Sequence, residues 1–341
     1  MRHGITRLAG GQHPFLPLSQ EEFRRIKKAK TCYMVVLGIE DKLDLLLENY
    51  TEFEKGLLFL SLRRGIFSDL DWGGLMDDMQ VVNRRLANFL MSVRLYTDQV
   101  GKNTASLFGR TSATGVAILE ALTEQRRSSL GLRVLEELRN HIQHRDLPIQ
   151  HLSYTMARAG KVTNRKVRCG IRPALLVAAL REDSKFDSGV LKALEEKGGT
   201  VVVTPFVREG IEAICRAHQR FRELTAPAIE TWRGILQETL DRAREAFGRD
   251  LTGFAVVVED DEEHCLEFEQ VFDDLLQRRL VLLTKNSSLS NVSLLFVSGE
   301  LIRGGRRLGS NSCRDRPLIS SGACVAKMFL HSCESAVYAH G

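Results

Sequence analysis

Apolar residues recur at intervals of three and four through most of the first 144 residues, the spacing that places side chains on one face of an α-helix. The first helix is predicted to begin at Ser19, because Ser19 and Glu22 have the form of a capping box. The N-terminal half is therefore predicted to be a bundle of three or four long helices. These helices cover residues 19 to 62, either continuous or interrupted at Gly38, residues 75 to 107, and residues 115 to 144, with a break allowed near 128–131.

Beyond Pro148 the pattern changes to short stretches of β-forming residues between helical segments. An antiparallel hairpin is predicted first, and the fold class is expected to be α+β and predominantly α. Strands are predicted at 152–157, 166–171, 200–203, 254–258, 280–284 and 292–297, with 174–180 a strand or a short helix. Helices are predicted at 189–197 and 265–276, and a helical hairpin at 206–224 and 227–247.

The two ends of the chain lack a sustained period. Residues 1–18 hold Gly, Pro and scattered basic residues and are predicted to be a flexible arm, followed by the helical bundle over residues 19–150. Residues 151–303 are predicted to form a mixed extension packed on the bundle, and residues 304–341 a disordered tail. One hypothesis for the tail is translation out of the ancestral frame, which translating the coding DNA in the other two frames would test.

One stretch, LRVLEELRNHIQHRDLP over residues 132–148, combines an apolar stripe with a polar cluster at a helix end. The stripe is predicted to face the core. Pro148 disfavours the α conformation in the residue before it, so the helix is expected to end near Arg145 or Asp146. The stripe consists of Leu132, Leu135, Leu138 and Ile142.

The polar residues of the last turns include Arg139, Asn140 and His144. At about 100° per residue, Asn140 and His144 lie one turn apart on a shared face, whereas Arg139 and His144 are roughly 140° apart around the axis. A straight helix cannot direct both at one atom. Either the helix end bends, or a second copy of the protein brings its own motif across a two-fold axis.

The spacing of Arg and His alone is not specific. With 35 Arg and 9 His, an Arg followed by a His after four to six residues should occur about 2.8 times by chance. The chain holds more than one such pair, Arg139 to His144 and Arg145 to His151 among them. The context distinguishes the first pair: Asn140 directly follows the Arg, a long amphipathic helix ends there, and the sequence upstream is helical.

The run from Arg139 to His144, RNHIQH, resembles the Arg-polar-x3-His signature of the HEPN superfamily (higher eukaryotes and prokaryotes nucleotide-binding domain). The flanking LRNHIQHRDLPIQHLSY is similar to a group of bacterial HEPN-like proteins, and the resemblance covers about residues 19–160. Many members of that superfamily are metal-independent RNases, often in toxin or phage-defence systems, that act as dimers with the Arg and His at the interface. Others have lost activity and serve as binding modules.

The resemblance implies a homodimeric endoribonuclease that needs no metal or cofactor, with an antitoxin or regulatory partner in a toxin setting. Arg139, Asn140 and His144 would then be catalytic. His144 would take a proton from a ribose 2′-OH or give one to the leaving 5′-oxygen, Arg139 would stabilise phosphoryl charge, and Asn140 would orient the phosphate or imidazole. The product would carry a 2′,3′-cyclic phosphate. The alternatives are a non-catalytic binding or scaffolding module, and basic residues that merely favour the helix dipole.

Two further residues are assigned to substrate binding. His141, one turn before His144, is a candidate second acid or base, although a solvated surface histidine is the simpler interpretation. Arg145 would add to a phosphate-binding patch if two protomers meet here, or would cap the helix.

The charge distribution limits where RNA can bind. The net charge is +5, but residues 1–30 carry seven Lys or Arg against two Glu, and residues 300–341 carry six against three. Residues 31–299 therefore have a net charge of −3. The folded body is not a basic nucleic-acid platform, so an RNA contact must depend on a local patch or on the N-terminal arm.

The sequence gives less support to a metal site, a nucleotide-binding site or a hydrolase site. Residues 259–263, EDDEE, are predicted to be the acidic start of a helix rather than a metal site, and the C-terminal cysteines lack zinc-finger spacing. No phosphate-binding loop, dinucleotide motif or G-x-S-x-G elbow occurs, which argues against an NTPase, a dinucleotide enzyme and an acyl hydrolase. Without a signal peptide or a membrane-length apolar run, and with seven mostly isolated cysteines, a cytoplasmic protein without membrane contact is expected.

Overall fold

The structure, a computed structural model, describes residues 1–7, 14–67, 71–159, 166–248, 253–272 and 274–294. The fold is α+β and predominantly α, as predicted. The described helices are α1 Gln20–Ile66, α2 Trp72–Phe108, α3 Ala113–Ser128, α4 Leu130–His144, α5 Val177–Arg181, α6 Ser188–Glu195, α7 Thr204–Phe247 and α8 Leu275–Lys285. The described strands are β1 Arg2–Arg7, β2 Leu16–Leu18, β3 His151–Ala159, β4 Lys166–Leu176, β5 Thr200–Val202, β6 Phe254–Glu259 and β7 Cys265–Gln270. The predicted tail, residues 304–341, lies outside the described residues.

The helices of the N-terminal half follow the apolar pattern. The capping box at Ser19 is present, with the Ser19 hydroxyl accepting from the Glu22 N–H and the Glu22 carboxylate accepting from the Ser19 N–H. Helix α1 continues through Gly38, because a single glycine costs a helix only about 1 kcal/mol and buried residues flank it on both sides. The break allowed near residues 128–131 is found at Ser129, which caps α4.

One buried core joins the two halves of the chain. Residues from α1, α2 and α4 pack with residues from β4, β5 and α7 in a single cluster. A second cluster lies between the N-terminal half of α1, the C-terminal half of α7 and strands β1 and β6. Residues 151–294, so far as they are described, therefore share their core with the bundle and do not bury a core of their own.

The N-terminal segment is not a flexible arm where it is described. Strand β1 pairs antiparallel with β6 through six residue pairs and also with β2, and β7 completes the sheet in the order β2-β1-β6-β7. Ile5 is fully buried and lies opposite Val256. The prediction failed because the pairing partner is some 250 residues away in sequence, and local periodicity carries no sign of it.

The second half contains the predicted hairpin. Strands β3 and β4 pair antiparallel from His151↔Ala174 to Ala159↔Lys166, and β5 joins the other edge of β4. Residues 174–180 divide between the end of β4 and helix α5. Residues 206–247 form one continuous helix rather than a helical hairpin. Pro227 removes one N–H, but buried residues lie on both sides of it, with Phe221 before and Ile229 after, and this packing offsets the loss.

The predictions for residues 259–284 were wrong. Residues 265–270 form strand β7, because Glu267 and Glu269 alternate towards Lys27 and Lys30 of α1 with the two-residue period of a strand. The acidic run at 259–263 forms the turn between β6 and β7, where Asp260 accepts from two backbone N–H groups. Residues 280–284 belong to helix α8, and residues 292–294 form a 3₁₀ turn.

Among the described residues, none of the helices combines the length and apolar character that crossing a membrane requires.

Candidate functional site

Helix α4 is held firmly against α7 by a close approach of two glycines. A Cβ at Gly131 would lie 2.7 Å from the backbone oxygen of Phe206, and a Cβ at Gly210 would lie 2.4 Å from Leu135 Cδ1. Only residues without a side chain fit at this crossing. The predicted apolar stripe is confirmed: three of its leucines are almost completely buried, and Ile142 packs against the same core.

The end of α4 is fixed by contacts on both sides of the chain reversal. The helix ends at His144, one residue before the predicted end at Arg145 or Asp146, and the Arg145 N–H donates to the His141 carbonyl at 2.8 Å. Beyond the turn, the side chain of Asn83 on α2 donates to the Ile149 carbonyl at 2.8 Å and accepts from its N–H at 3.0 Å. The segment between α4 and β3 is thereby tied to α2.

The three predicted catalytic residues lie at this helix end. Asn140 and His144 are exposed and share one face, as the helical spacing predicts, while Arg139 is partly buried. The Arg139 guanidinium donates to the Asn140 Oδ1 at 3.2 Å. The long Arg139 side chain thus contacts the next residue along α4, and no hydrogen bond joins Arg139 to His144 among the described residues. Helix α4 stays helical through His144, so a bent helix end does not bring Arg139 to His144, and a second copy of the chain stays a prediction.

His141 is not a solvated surface histidine. It is 4% exposed, and its Nδ1 lies 2.9 Å from Oδ2 of Asp183, in the connection between α5 and α6. Its ring packs edge-on against Phe186, and its Nε2 is buried without a partner among the described residues. A direct contact between His141 and a substrate is therefore not available in this conformation, and the interpretation as a solvated residue was wrong.

Asp183 links His141 to Arg145. The Arg145 Nε lies 3.7 Å from the second carboxylate oxygen, Oδ1, and the Arg145 side chain remains half exposed. Burial alone would raise the pKa of Asp183. The hydrogen bonds from His141 and from the Lys185 N–H, with the charges of His141 and Arg145, outweigh it and hold that pKa below its usual range. Asp183 is therefore an ionised anchor beneath the end of α4.

A cavity of about 300 Å³ lies beside the earlier turns of α4, between α3 and α6. Arginine and acidic side chains line it in equal number, and Arg126 pairs with Glu136 at 2.6 Å. Burial raises the pKa of Glu137, although the Asp187 N–H bonded to it acts in the opposite direction. Because positive and negative side chains are equal in number, the cavity does not favour the binding of a phosphate group. The charged lining residues are Arg126, Arg127, Arg133, Glu136, Glu137 and Asp187.

No protein-family model, curated protein or solved structure matches the chain. Among the described residues, no three His, Cys, Asp or Glu side chains lie together in a group that would hold a metal ion.

No sequence motif marks Asp183 as a functional residue. It lies 42 residues from His141 in sequence, and nothing in its neighbourhood indicates a histidine partner. Residues 151–181 are rich in Lys and Arg, but the net charge of −3 over residues 31–299 does not reveal this local excess.

Proposed function

We propose that the chain is a metal-independent endoribonuclease of the HEPN type, with Arg139, Asn140 and His144 as its catalytic residues. The observation that carries the proposal is the contact of Arg139 with Asn140 on the exposed end of α4 that also bears His144. A guanidinium, an amide and an imidazole therefore share one solvent-facing helix end. These groups suit the stabilisation of a phosphoryl oxygen and the transfer of a proton.

The proposed reaction is an internal transesterification of RNA. A neutral imidazole takes the proton of a ribose 2′-OH, the 2′-oxygen attacks the adjacent phosphorus, and the bond from phosphorus to the 5′-oxygen breaks. A protonated imidazole delivers a proton to that leaving oxygen. Arg139 stabilises the charge on the phosphoryl oxygens, and the product ends in a 2′,3′-cyclic phosphate.

This reaction uses one base and one acid, whereas the end of α4 carries one exposed histidine, His144. Two copies of the chain related by a two-fold axis would supply both, with each His144 in one role. We therefore propose a homodimer with the two α4 ends facing one RNA strand. In a toxin setting, a regulatory partner would act by covering these helix ends.

Incubating the purified protein with total RNA in EDTA tests the proposal. Cleavage is expected, with 2′,3′-cyclic phosphate ends, and it should be lost in His144→Ala and retained in His264→Ala. His264 is the matched control, because it is an exposed histidine on the turn between β6 and β7. Absence of cleavage by the wild-type protein under every condition would favour the non-catalytic binding module instead.

A further inference from the structure

Residues 151–181 form a basic segment, whereas the rest of residues 31–299 is acidic on balance. They contain seven Lys or Arg and no Asp or Glu, whereas the chain average of 43 acidic residues in 341 would give about four in this length. Since residues 31–299 have a net charge of −3, the remainder of that body has a net charge of −10 without this segment. Arg181, the last of the seven, is paired with Glu195 at 2.7 Å. The other six leave an excess of positive charge in this segment, which attracts anions.

The pairing of β3 and β4 places most polar residues of the hairpin on one face and most of its large apolar residues on the other. Residues paired across antiparallel strands share a face, so Ser153 lies beside Arg172 and Ala157 lies beside Arg168. The opposite face packs on the bundle over part of its length, where Ile171 is buried and Cys169 lies close to Gly65 of α1. We define the polar face by its described residues: His151, Ser153, Thr155, Arg168 and Arg172.

No carboxylate of the described residues pairs with either arginine of the polar face. Arg168 is exposed, Arg172 is partly exposed, and neither forms an ion pair or hydrogen bond with any described residue. Buried arginines elsewhere are paired, such as Arg208 with Glu54 at 2.8 Å. The guanidinium groups of the polar face therefore keep their full capacity to bind an anion.

We propose that the polar face of the β3–β4 hairpin binds the sugar–phosphate backbone of single-stranded RNA. The guanidinium forks would pair with phosphates, and the hydroxyls of Ser153 and Thr155 would donate to phosphate oxygens or contact 2′-OH groups. Arg168 and Arg172 are about 13 Å apart along the strand, a length that a few nucleotides cover. The choice of RNA as the nucleic acid rests on the function proposed for the α4 end.

The hairpin is close enough to the α4 motif to serve the same strand. His151 follows His144 by seven residues, which sets an upper limit of about 25 Å on the distance between their Cα atoms. The end of the polar face at His151 would thus hold RNA within several nucleotides of the reacting phosphate.

An anionic membrane surface is the competing ligand, because Met156 and Val167 are exposed apolar residues of the same hairpin. Their strand pairings with Arg158 and Cys169 place them on the face opposite to Arg168 and Arg172. A membrane-binding element presents its basic and apolar groups to the bilayer together. Arg158 shares the register face of Val167, but the two arginines that carry the proposal lie on the other face, away from Met156 and Val167, and this favours RNA.

The test measures binding apart from cleavage. A fluorescent 2′-O-methyl RNA of 16 nucleotides lacks the attacking hydroxyl, so anisotropy reports its Kd without turnover. The double variant Arg168→Gln/Arg172→Gln is expected to weaken binding about tenfold or more and to reduce the slope of log Kd against log salt by about 1.4, since each lost phosphate contact accounts for about 0.7. The control Arg24→Gln/Arg25→Gln removes two exposed arginines of α1 about 60 Å from Gly65 and should bind as the wild type does.

An unchanged Kd in the hairpin variant, or equal weakening in the control, would overturn the inference. So would salt-dependent capture on phosphatidylserine vesicles through Arg168 and Arg172 without RNA binding, which would identify a membrane surface as the ligand. The two proposals fail separately. If the hairpin binds RNA but the protein does not cleave ordinary RNA, only the nuclease proposal is contradicted. If the protein cleaves RNA but the hairpin variant has an unchanged Kd, only the RNA-binding face is contradicted.

Discussion

Two buried histidines, His218 and His141, are each paired with a carboxylate but differ in what surrounds them. His218 on α7 is completely buried, and both ring nitrogens have partners: Nδ1 lies 2.9 Å from the Tyr96 hydroxyl and Nε2 lies 3.1 Å from Glu40 Oε2. His141 has Asp183 on one side and no described partner for its Nε2.

The His218 network joins three long helices, since Tyr96 belongs to α2 and Glu40 to α1. Arg222 lies 2.7 Å from Glu40 Oε2 and supplies the charge that keeps the carboxylate ionised. The simplest assignment is a neutral imidazole that donates from Nε2 to Glu40 and accepts from the Tyr96 O–H. The His141 pair instead lies under an exposed helix end. We therefore expect the His218 network to stabilise the fold and the His141–Asp183 pair to position the exposed side chains at the end of α4.

The largest effect is expected from Glu40→Gln. This change leaves the Arg222 guanidinium without its charged partner in the interior and weakens the bond to His218, so the free energy of unfolding should fall by about 3–5 kcal/mol. Urea denaturation measures it. Glu48→Gln on the same helix is the control, because Glu48 is half exposed in its pair with Lys285 and should cost less than about 1 kcal/mol. Equal losses in the two variants would contradict a structural role for the network.

The same network should make the fold sensitive to acid. Burial lowers the pKa of His218 despite its bond to Glu40, so the folded state resists protonation and loses stability as pH falls below about 6.5. Burial alone would raise the pKa of Glu40, but the bonds from His218 and Arg222 lower it to about 2. The stability that Glu40 contributes is therefore present above about pH 4.5 and is lost between there and about pH 2.

Urea denaturation at pH 7.5, 6 and 5 tests the loss of stability assigned to His218 separately from that assigned to Glu40, which lies at lower pH. The free energy of unfolding should fall with pH in the wild-type protein and fall less steeply in His218→Gln, which has no imidazole to protonate. Parallel slopes in the two proteins would show that His218 does not set the acid sensitivity.

The sequence predicted the long helices and the hairpin but not the sheet built on the N-terminus. Helices α1 to α4 are specified locally, by apolar spacing and by caps such as Ser19 and Ser129. Strand β7 was mistaken for a helix because its assignment depends on pairing with β6 and on ion pairs to α1. Contacts between distant segments leave no period in the sequence.

The candidate site divides in the same way. The shared face of Asn140 and His144 follows from helical geometry and was predicted. The burial of His141 was not, because its partner Asp183 belongs to another element. The spacing also could not show that Arg139 bonds to Asn140. The position of a guanidinium at the end of a long side chain does not follow from the direction of its Cα–Cβ bond.

An intermediate effect is expected from Asp183→Asn. Loss of the carboxylate charge weakens the contacts to His141 and Arg145, and a hydrogen bond to a charged group contributes about 1.5–3 kcal/mol. The last turn of α4 should open more often, so the Arg145 amide should exchange with solvent about tenfold faster or more, while the Leu138 amide changes less. Asp146→Asn, an exposed neighbour, is the control. Uniform acceleration along α4 would indicate general destabilisation rather than local positioning.

The smallest effect on stability is expected from His144→Ala. His144 is exposed and forms no hydrogen bond or ion pair with a described residue, so its removal should change the free energy of unfolding by less than about 0.5 kcal/mol while RNA cleavage is lost. A residue that only favours the helix dipole would behave in the opposite way. Its loss would destabilise the protein by up to about 1 kcal/mol at low salt and would leave cleavage intact. Measuring unfolding and cleavage on the same preparations distinguishes a positioned proton carrier from a helix-end charge.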